Sequence, residues 1–405
     1  MCAPREKPGY FSFVIHHVYF SPGMFGFNRL ASFEYFAHVE RALAARFEKH
    51  GIAIDAHVSD VLPTASLRRR AAKLAELIGA TATTDGPIHL IGHSTGGLDS
   101  RLVASPCSEL PANANVDAWI GRLKSVTTMN TPHYGTPLAS FFATSKGQQA
   151  LYALSAFTVI GLSIGARPLA VVSALISIIG KSDRAIGITL PLLDSSVKSV
   201  LSLMIDDARN PDVRTYLKAM QEDSGAMLQL SPEAMDLMVA GFENRKGVTY
   251  QSTASMAPSP SPTSFIKVIG HPWQSISLAL FTALHGITAL VDKRYPCAAV
   301  PADLTSEQAA QAADNEAMLR AAFTHSPETH DNDGCVPIRS QLWGRLVWAG
   351  YGDHLDVLGH YNDVTPEKEI ALRHYDWLTS GSKFDDASFE SLMDAVAGGM
   401  LKSVE

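Results

Sequence analysis

Residues 88–102, IHLIGHSTGGLDSRL, constrain this chain more than any other stretch. Four mostly apolar residues, Ile88 to Ile91, read as a buried strand. They run straight into Gly92-His93-Ser94-Thr95-Gly96-Gly97, and a helix is expected from about Gly97. A serine meant only for solvent does not need small residues on both sides. The spacing G-x-S-x-G between a strand and a helix describes a turn so sharp that flanking side chains would collide. Such a turn lifts the serine hydroxyl above a sheet, beside a helix N-terminus.

The surrounding segments repeat the strand-then-helix rhythm. FSFVIHHVYF (11–20) is apolar and β-rich, and SPGMFGFN follows as a glycine-punctuated loop. From Ser32, a candidate N-cap, Phe33, Phe36, Val39, Leu43 and Phe47 recur at steps of three and four, one face of a helix. IAIDAHVS (52–59) alternates as a strand, ASLRRRAAKLAELIGA is amphipathic with LRRR (67–70) expected on its solvated face, and LKSVTTMN (123–130) is a fourth strand. This order predicts an α/β fold, a mostly parallel sheet covered on both faces. After Pro137 the rhythm breaks. Residues 150–180 hold one charge, Arg167, and are broken by Gly161, Gly165 and Pro168, which suits two apolar helices better than one membrane span. GVTYQSTAS (247–255) returns to the sheet, MAPSPSPTS (256–264) is a loop, and a second apolar stretch covers 274–291.

Composition excludes several classes. A net charge of −7 without a basic cluster argues against a nucleic-acid partner. Of the four cysteines, Cys2, Cys107, Cys297 and Cys335, none forms a C-x-x-C pair, so no metal cluster is expected; a Cys297–Cys335 disulfide stays open. The N-terminus lacks a secretory signal's apolar core, which implies a cytoplasmic protein as written, or a secreted one whose leader was removed.

The serine turn, in its strand–helix setting, is the nucleophile elbow of α/β-hydrolases. Serine alone is a poor nucleophile: it needs a base, and the base a carboxylate, in the chain order Ser, Asp/Glu, His. Downstream, HDNDGCVP (330–337) carries two acids in a polar loop, and RLVWAGYGDHLDVLGH (345–360) is a strand followed by a histidine loop. His354 lies about twenty residues after the acid loop, and Asp331 and Asp333 compete for the acid.

The segments GHSTGG, NDGCVP, GDHLDVLG, PGMFGFNRLASFEYF and TPHYGTP resemble the bacterial true lipases of the Pseudomonas and Burkholderia type. Those carry HGMLGFD, GHSHGG, APHRGTP, NDGLV and NHLDE. The resemblance covers about residues 10–140 and 325–360. It implies an α/β-hydrolase with Ser94, Asp333 and His354 as nucleophile, acid and base, and the backbone N–H groups of Met24 and Thr95 as the oxyanion hole. Pro22 stands where the family has histidine, which changes how that loop is braced. The resemblance also implies a structural calcium ion at Asp356, although His360 replaces the family's glutamine. Asp303 and Asp314 are the nearest aspartates to the second ligand position, and Asp356 serves equally well as a helix cap. No cofactor is needed for the chemistry.

Three segments follow: an N-terminal core part (1–137), a helical lid or cap (138–245), and a C-terminal core part (246–405) with a second insertion at about 256–325. The expected activity is a carboxylester hydrolase for apolar, lipidic esters, with peripheral association at a lipid surface. A polyester depolymerase or acyltransferase is the alternative, and a lipid-binding protein on a hydrolase scaffold the non-enzyme one.

Overall fold

The structure, a computed structural model, describes residues 14–24, 29–30, 33–62, 64–148, 150–151, 154, 223, 225–300, 304–361 and 376–405. Six strands form one sheet: β1 (Val14–Ser21), β2 (Ile52–Val58), β3 (Ile88–His93), β4 (Leu123–Met129), β5 (Thr249–Met256) and β6 (Arg345–Tyr351). Their order is β2-β1-β3-β4-β5-β6, every pair parallel. The inner strands are almost wholly buried, as the apolar run of β3 requires, whereas β2 and β6 at the edges are half-buried.

From β1 the chain steps outward to β2, then crosses back to β3 and continues the other way. Right-handed crossovers therefore put α1 (Ala37–Glu48) and α2 (Leu67–Thr81) on opposite faces. Helix α1 packs against the C-terminal helix Asp386–Lys402, and α2 against α3 (Thr95–Ala104). The reversal opens a crevice at the carboxyl ends of β1 and β3, where α/β sheets take ligands. Strand order, elbow and crossovers define an α/β-hydrolase fold.

Three expectations need correction. Helix α1 begins at Ala37, not beside Ser32, because Arg29–Leu30 and Phe33–Glu34 pair as a short antiparallel ribbon before the helix can start. Cys297 and Cys335 are both free thiols. LRRR is not all solvated: Arg70 is 1% exposed, because the helical step of three or four that buries Leu67, Ala71 and Leu74 also turns it inward.

Of the expected cap, the described parts include α4 (Pro137–Phe142), α5 (Gly225–Gln229) and α6 (Pro232–Val239), while most of the apolar run 150–180 lies outside the described residues. The second insertion contributes α7 (Pro262–Lys267), α8 (Pro272–Thr288) and α9 (Ser306–Phe323). Among the described residues, no helix is long and apolar enough to cross a membrane.

Candidate active site

The elbow begins where β3 ends. Ser94 holds φ 54° and ψ −129°, a strained conformation for a residue with a side chain. Its neighbours explain why the chain tolerates it. A Cβ on Gly92 would strike the backbone of Gly96 and Gly97, and one on Gly96 the carbonyls of Ser21 and Pro22. The strain is held by two backbone bonds: Ser94 N–H donates to Met129 O (2.9 Å), and Gly97 N–H to Ser94 O (3.1 Å).

The acid and histidine arrive on the loops around β5 and β6. His354 N–H donates to Asp333 O (2.9 Å), which fixes one loop against the other. The side chains then meet: His354 Nδ1–H donates to Asp333 Oδ2 (2.7 Å). Asp333 is fully buried, and its Oδ1 accepts the N–H groups of Cys335 (2.9 Å) and Val336 (2.7 Å). Asp331 is placed differently. Its Oδ2 caps Glu328 N–H (2.7 Å), and it has no bond to His354. Ser94 and His354 face one cavity, with no direct hydrogen bond between their side chains; such contacts tighten when substrate binds.

That cavity is also lined by Met24 and Thr95, and among the described residues no backbone hydrogen bond is donated by either N–H. Its remaining wall is largely apolar, including Leu138, Phe142, Leu230, Leu284, Leu358 and Trp377. Parts of α4 and α8, with Leu230 just after α5, thus cover the serine with hydrocarbon.

Two braces hold the Gly23–Met24 loop where Pro22 replaces a histidine. Below it, Arg70 Nη2–H donates to Pro22 O (2.5 Å) and to Asp99 Oδ2 (2.8 Å), and Ser21 Oγ–H donates to the same carboxylate oxygen (2.7 Å). Burial pushes the Asp99 carboxyl up, and Arg70 and Ser21 pull it back. Above it, Gly23 N–H donates to Tyr35 Oη (3.3 Å), Tyr35 lies 2.7 Å from His93 Nδ1, and His93 Nε2 lies 2.8 Å from His354 O. The carbonyl can only accept, so His93 carries its proton on Nε2 and Tyr35 donates to Nδ1. Burial, with His354 close by, pushes His93 well below the usual histidine range and keeps it neutral. His133 stays away from the cavity, bonded to Thr128 Oγ1 (3.0 Å) and Arg101 (2.9 Å).

Asp356 forms half of a reciprocal cap. Asp353 Oδ1 accepts the N–H groups of Leu355 and Asp356, and Asp356 Oδ2 accepts Asp353 N–H (2.8 Å) and Ser382 Oγ–H (2.7 Å). Burial pushes Asp353 up to about 7 and Asp356 well above the usual carboxylate range. Among the described residues no three ligating side chains gather for a metal, Asp314 is exposed on α9, and Asp303 lies outside the described residues. Among the described residues Asp356 is thus engaged by the turn that carries His354, the capping role its sequence position also allowed.

Sequence reasoning passed over Arg70, Asp99, Tyr35 and Asn130. Asn130 gave one usable signal: an asparagine directly after a strand, in a residue type that tolerates left-handed backbone.

Strand order and the serine elbow give the chain an α/β-hydrolase fold, with Asp333 and His354 meeting on the loops beyond it. An 83-residue segment, 20% of the chain, is 37% identical to a triacylglycerol lipase of Pseudarthrobacter phenanthrenivorans, covering 22% of that protein. The triacylglycerol lipase of Burkholderia plantarii is also 37% identical over 83 residues, 19% of its length. The chain thus matches about a fifth of the length of these curated relatives. No protein-family model matches. Among solved structures, Staphylococcus hyicus lipase aligns with a TM-score of 0.49 and 14% identity, over 99% of each chain. EstA from Clostridium botulinum aligns with a TM-score of 0.46 and 16% identity, over 93% of this chain and 87% of its own.

Proposed function

We propose that this chain is a serine carboxylester hydrolase for apolar esters, of the lipase or esterase kind. One observation carries the reading: the 2.7 Å bond from His354 Nδ1 to a buried Asp333, on the rim of the apolar cavity that holds Ser94. In this reading Ser94 Oγ attacks the ester carbonyl while His354 Nε2 takes its proton. The developing oxyanion is received by the Met24 and Thr95 N–H groups. His354 returns the proton to the departing alcohol, and Asp333 stabilises the imidazolium. Water, deprotonated by His354, then releases the acid from Ser94.

The hydrocarbon wall favours a long or bulky acyl chain, since each buried CH₂ contributes about 0.8 kcal/mol. Such an ester collects at a lipid surface, and the chain is read as working there. The test is labelling by an active-site-directed alkyl phosphonate, with turnover measured over p-nitrophenyl esters of increasing chain length. Ser94 labelled, and kcat/KM rising with acyl length, is the expected result. No labelling of a folded protein overturns the reading.

A further inference from the structure

Asn130 stands directly after β4 with φ +48°, a left-handed conformation. Glycine would take that backbone at least as easily, so conformation alone does not call for asparagine. The carboxamide does. Asn130 Nδ2 donates one N–H to Asp333 Oδ2 (2.9 Å) and the other to Ser255 Oγ (2.6 Å), and all three residues are fully buried. A flipped amide would set an oxygen against a carboxylate oxygen, so chemistry fixes which end faces the acid.

Its place in the chain matters as much as its bonds. The carbonyl of Met129, one residue earlier, accepts the N–H of Ser94 (2.9 Å). Asn130 N–H donates across to Thr253 O (3.3 Å) on β5. One short turn therefore holds the nucleophile's backbone through Met129 and the acid's carboxylate through Asn130. Asp333 Oδ1 is already fixed by two backbone N–H groups, so Asn130 is the additional donor on the oxygen that meets His354. Without it, Oδ2 keeps His354 as its single partner, and the carboxylate is held from the Oδ1 side alone.

We propose that Asn130 is a positioning residue of the triad, aiming Asp333 Oδ2 at His354 Nδ1 and tying the acid to the nucleophile elbow. The proposal rests on reading Asp333, His354 and Ser94 as the triad, but its test does not need turnover. Other groups around the pair are Asp331, Cys335 and Asp353 from the adjoining loops, His285 from α8 and His93 from the elbow. None of them bonds to Oδ2, so none replaces the amide.

The experiment compares wild type with Asn130→Gly, which keeps the left-handed backbone and removes the amide, and Asn130→Asp, which keeps the shape and sets a second carboxyl group in place of the amide donors. The first readout is the low-field proton resonance of His354 Nδ1–H, assigned by its loss in His354→Ala. In both variants it is expected to broaden or shift, because the acid is no longer held. The second is ester hydrolysis, with kcat expected to fall roughly tenfold or more while KM stays within about twofold. A merely structural asparagine would lower the melting temperature and leave the resonance in place. If both variants fold and the resonance is unmoved, the proposal is wrong. If wild type hydrolyses no ester, the functional reading fails while the resonance still decides the role of Asn130.

Discussion

Arg70 makes the most demanding prediction, because it is among the largest fully buried side chains of the described residues and carries a charge. Its Nε donates to both Asp99 oxygens (3.1 Å each), its Nη2 to Asp99 Oδ2 (2.8 Å) and Pro22 O (2.5 Å), and its Nη1 to Leu62 O (3.3 Å). Arg70→Met fills much of the volume and leaves Asp99 buried with Ser21 as its remaining side-chain donor. Removing one partner of a buried pair costs about 3–5 kcal/mol. With an unfolding entropy of about 2.1 cal/mol/K per residue, that lowers Tm by roughly 4–6 °C in a chain of this size. Arg70→Met with Asp99→Leu should recover much of the loss, since two apolar groups leave no orphaned charge. Activity should not recover with it. Pro22 O has lost its donor in both variants, so the Gly23–Met24 loop loosens and kcat falls, at most by the roughly 10²–10³ that one oxyanion donor is worth. The assays are thermal unfolding by circular dichroism and steady-state hydrolysis of a short p-nitrophenyl ester. A double variant that regains stability and kcat together would refute the claim that Arg70 braces the oxyanion loop.

Ser94→Ala is expected to fold normally and to lose ester hydrolysis by several orders of magnitude; more than about 1% residual activity excludes Ser94 as nucleophile. Asp333→Asn should damage kcat far more than Asp331→Asn, whose side chain caps Glu328 instead, and the reverse ranking would mean the acid is misassigned. Chelation should leave Tm unchanged, since Asp356 already accepts Asp353 N–H and Ser382 Oγ–H; a clear drop, reversed by added calcium, would show a cation in that turn. Acid should unfold the protein through His89. Burial, then the neighbouring His16, pushes it down to about 3, so the unfolded chain binds its proton first as pH falls. Its contribution is intact above about pH 6.5 and drains at about 1.4 kcal/mol per pH unit down to about 3. Urea titrations across that range should show a shallower loss for His89→Gln, and equal slopes would remove His89 from the explanation.

What the sequence made legible and what it hid differ in physical kind. Strand and helix positions follow from local periodicity, so β1 to β6 and α2 fall within a few residues of their expected places. The elbow was legible because Gly92 answers to a collision within five residues of chain, with Gly96 and Gly97, while the need for Gly96 comes from the distant carbonyls of Ser21 and Pro22. The meeting of Asp333 with His354 was legible through short motifs that carry turn chemistry. The braces were not. Arg70 pairs with Asp99 at a separation of 29 residues, Tyr35 with His93 at 58, and Asn130 with Asp333 at 203. Each partner sits in a segment whose own pattern is satisfied without it. Arg70 belongs to an arginine triplet that reads as solvated, and only the helical phase of Leu67, Ala71 and Leu74 turns it inward. Pro22 connects the two kinds of information. Its departure from the family pattern raised the question of how the loop is braced, and the Arg70 guanidinium on its carbonyl answers it. A missing side chain at a buried loop is thus a pointer to a partner elsewhere in the fold, because the loop's polar groups still need donors once water is excluded.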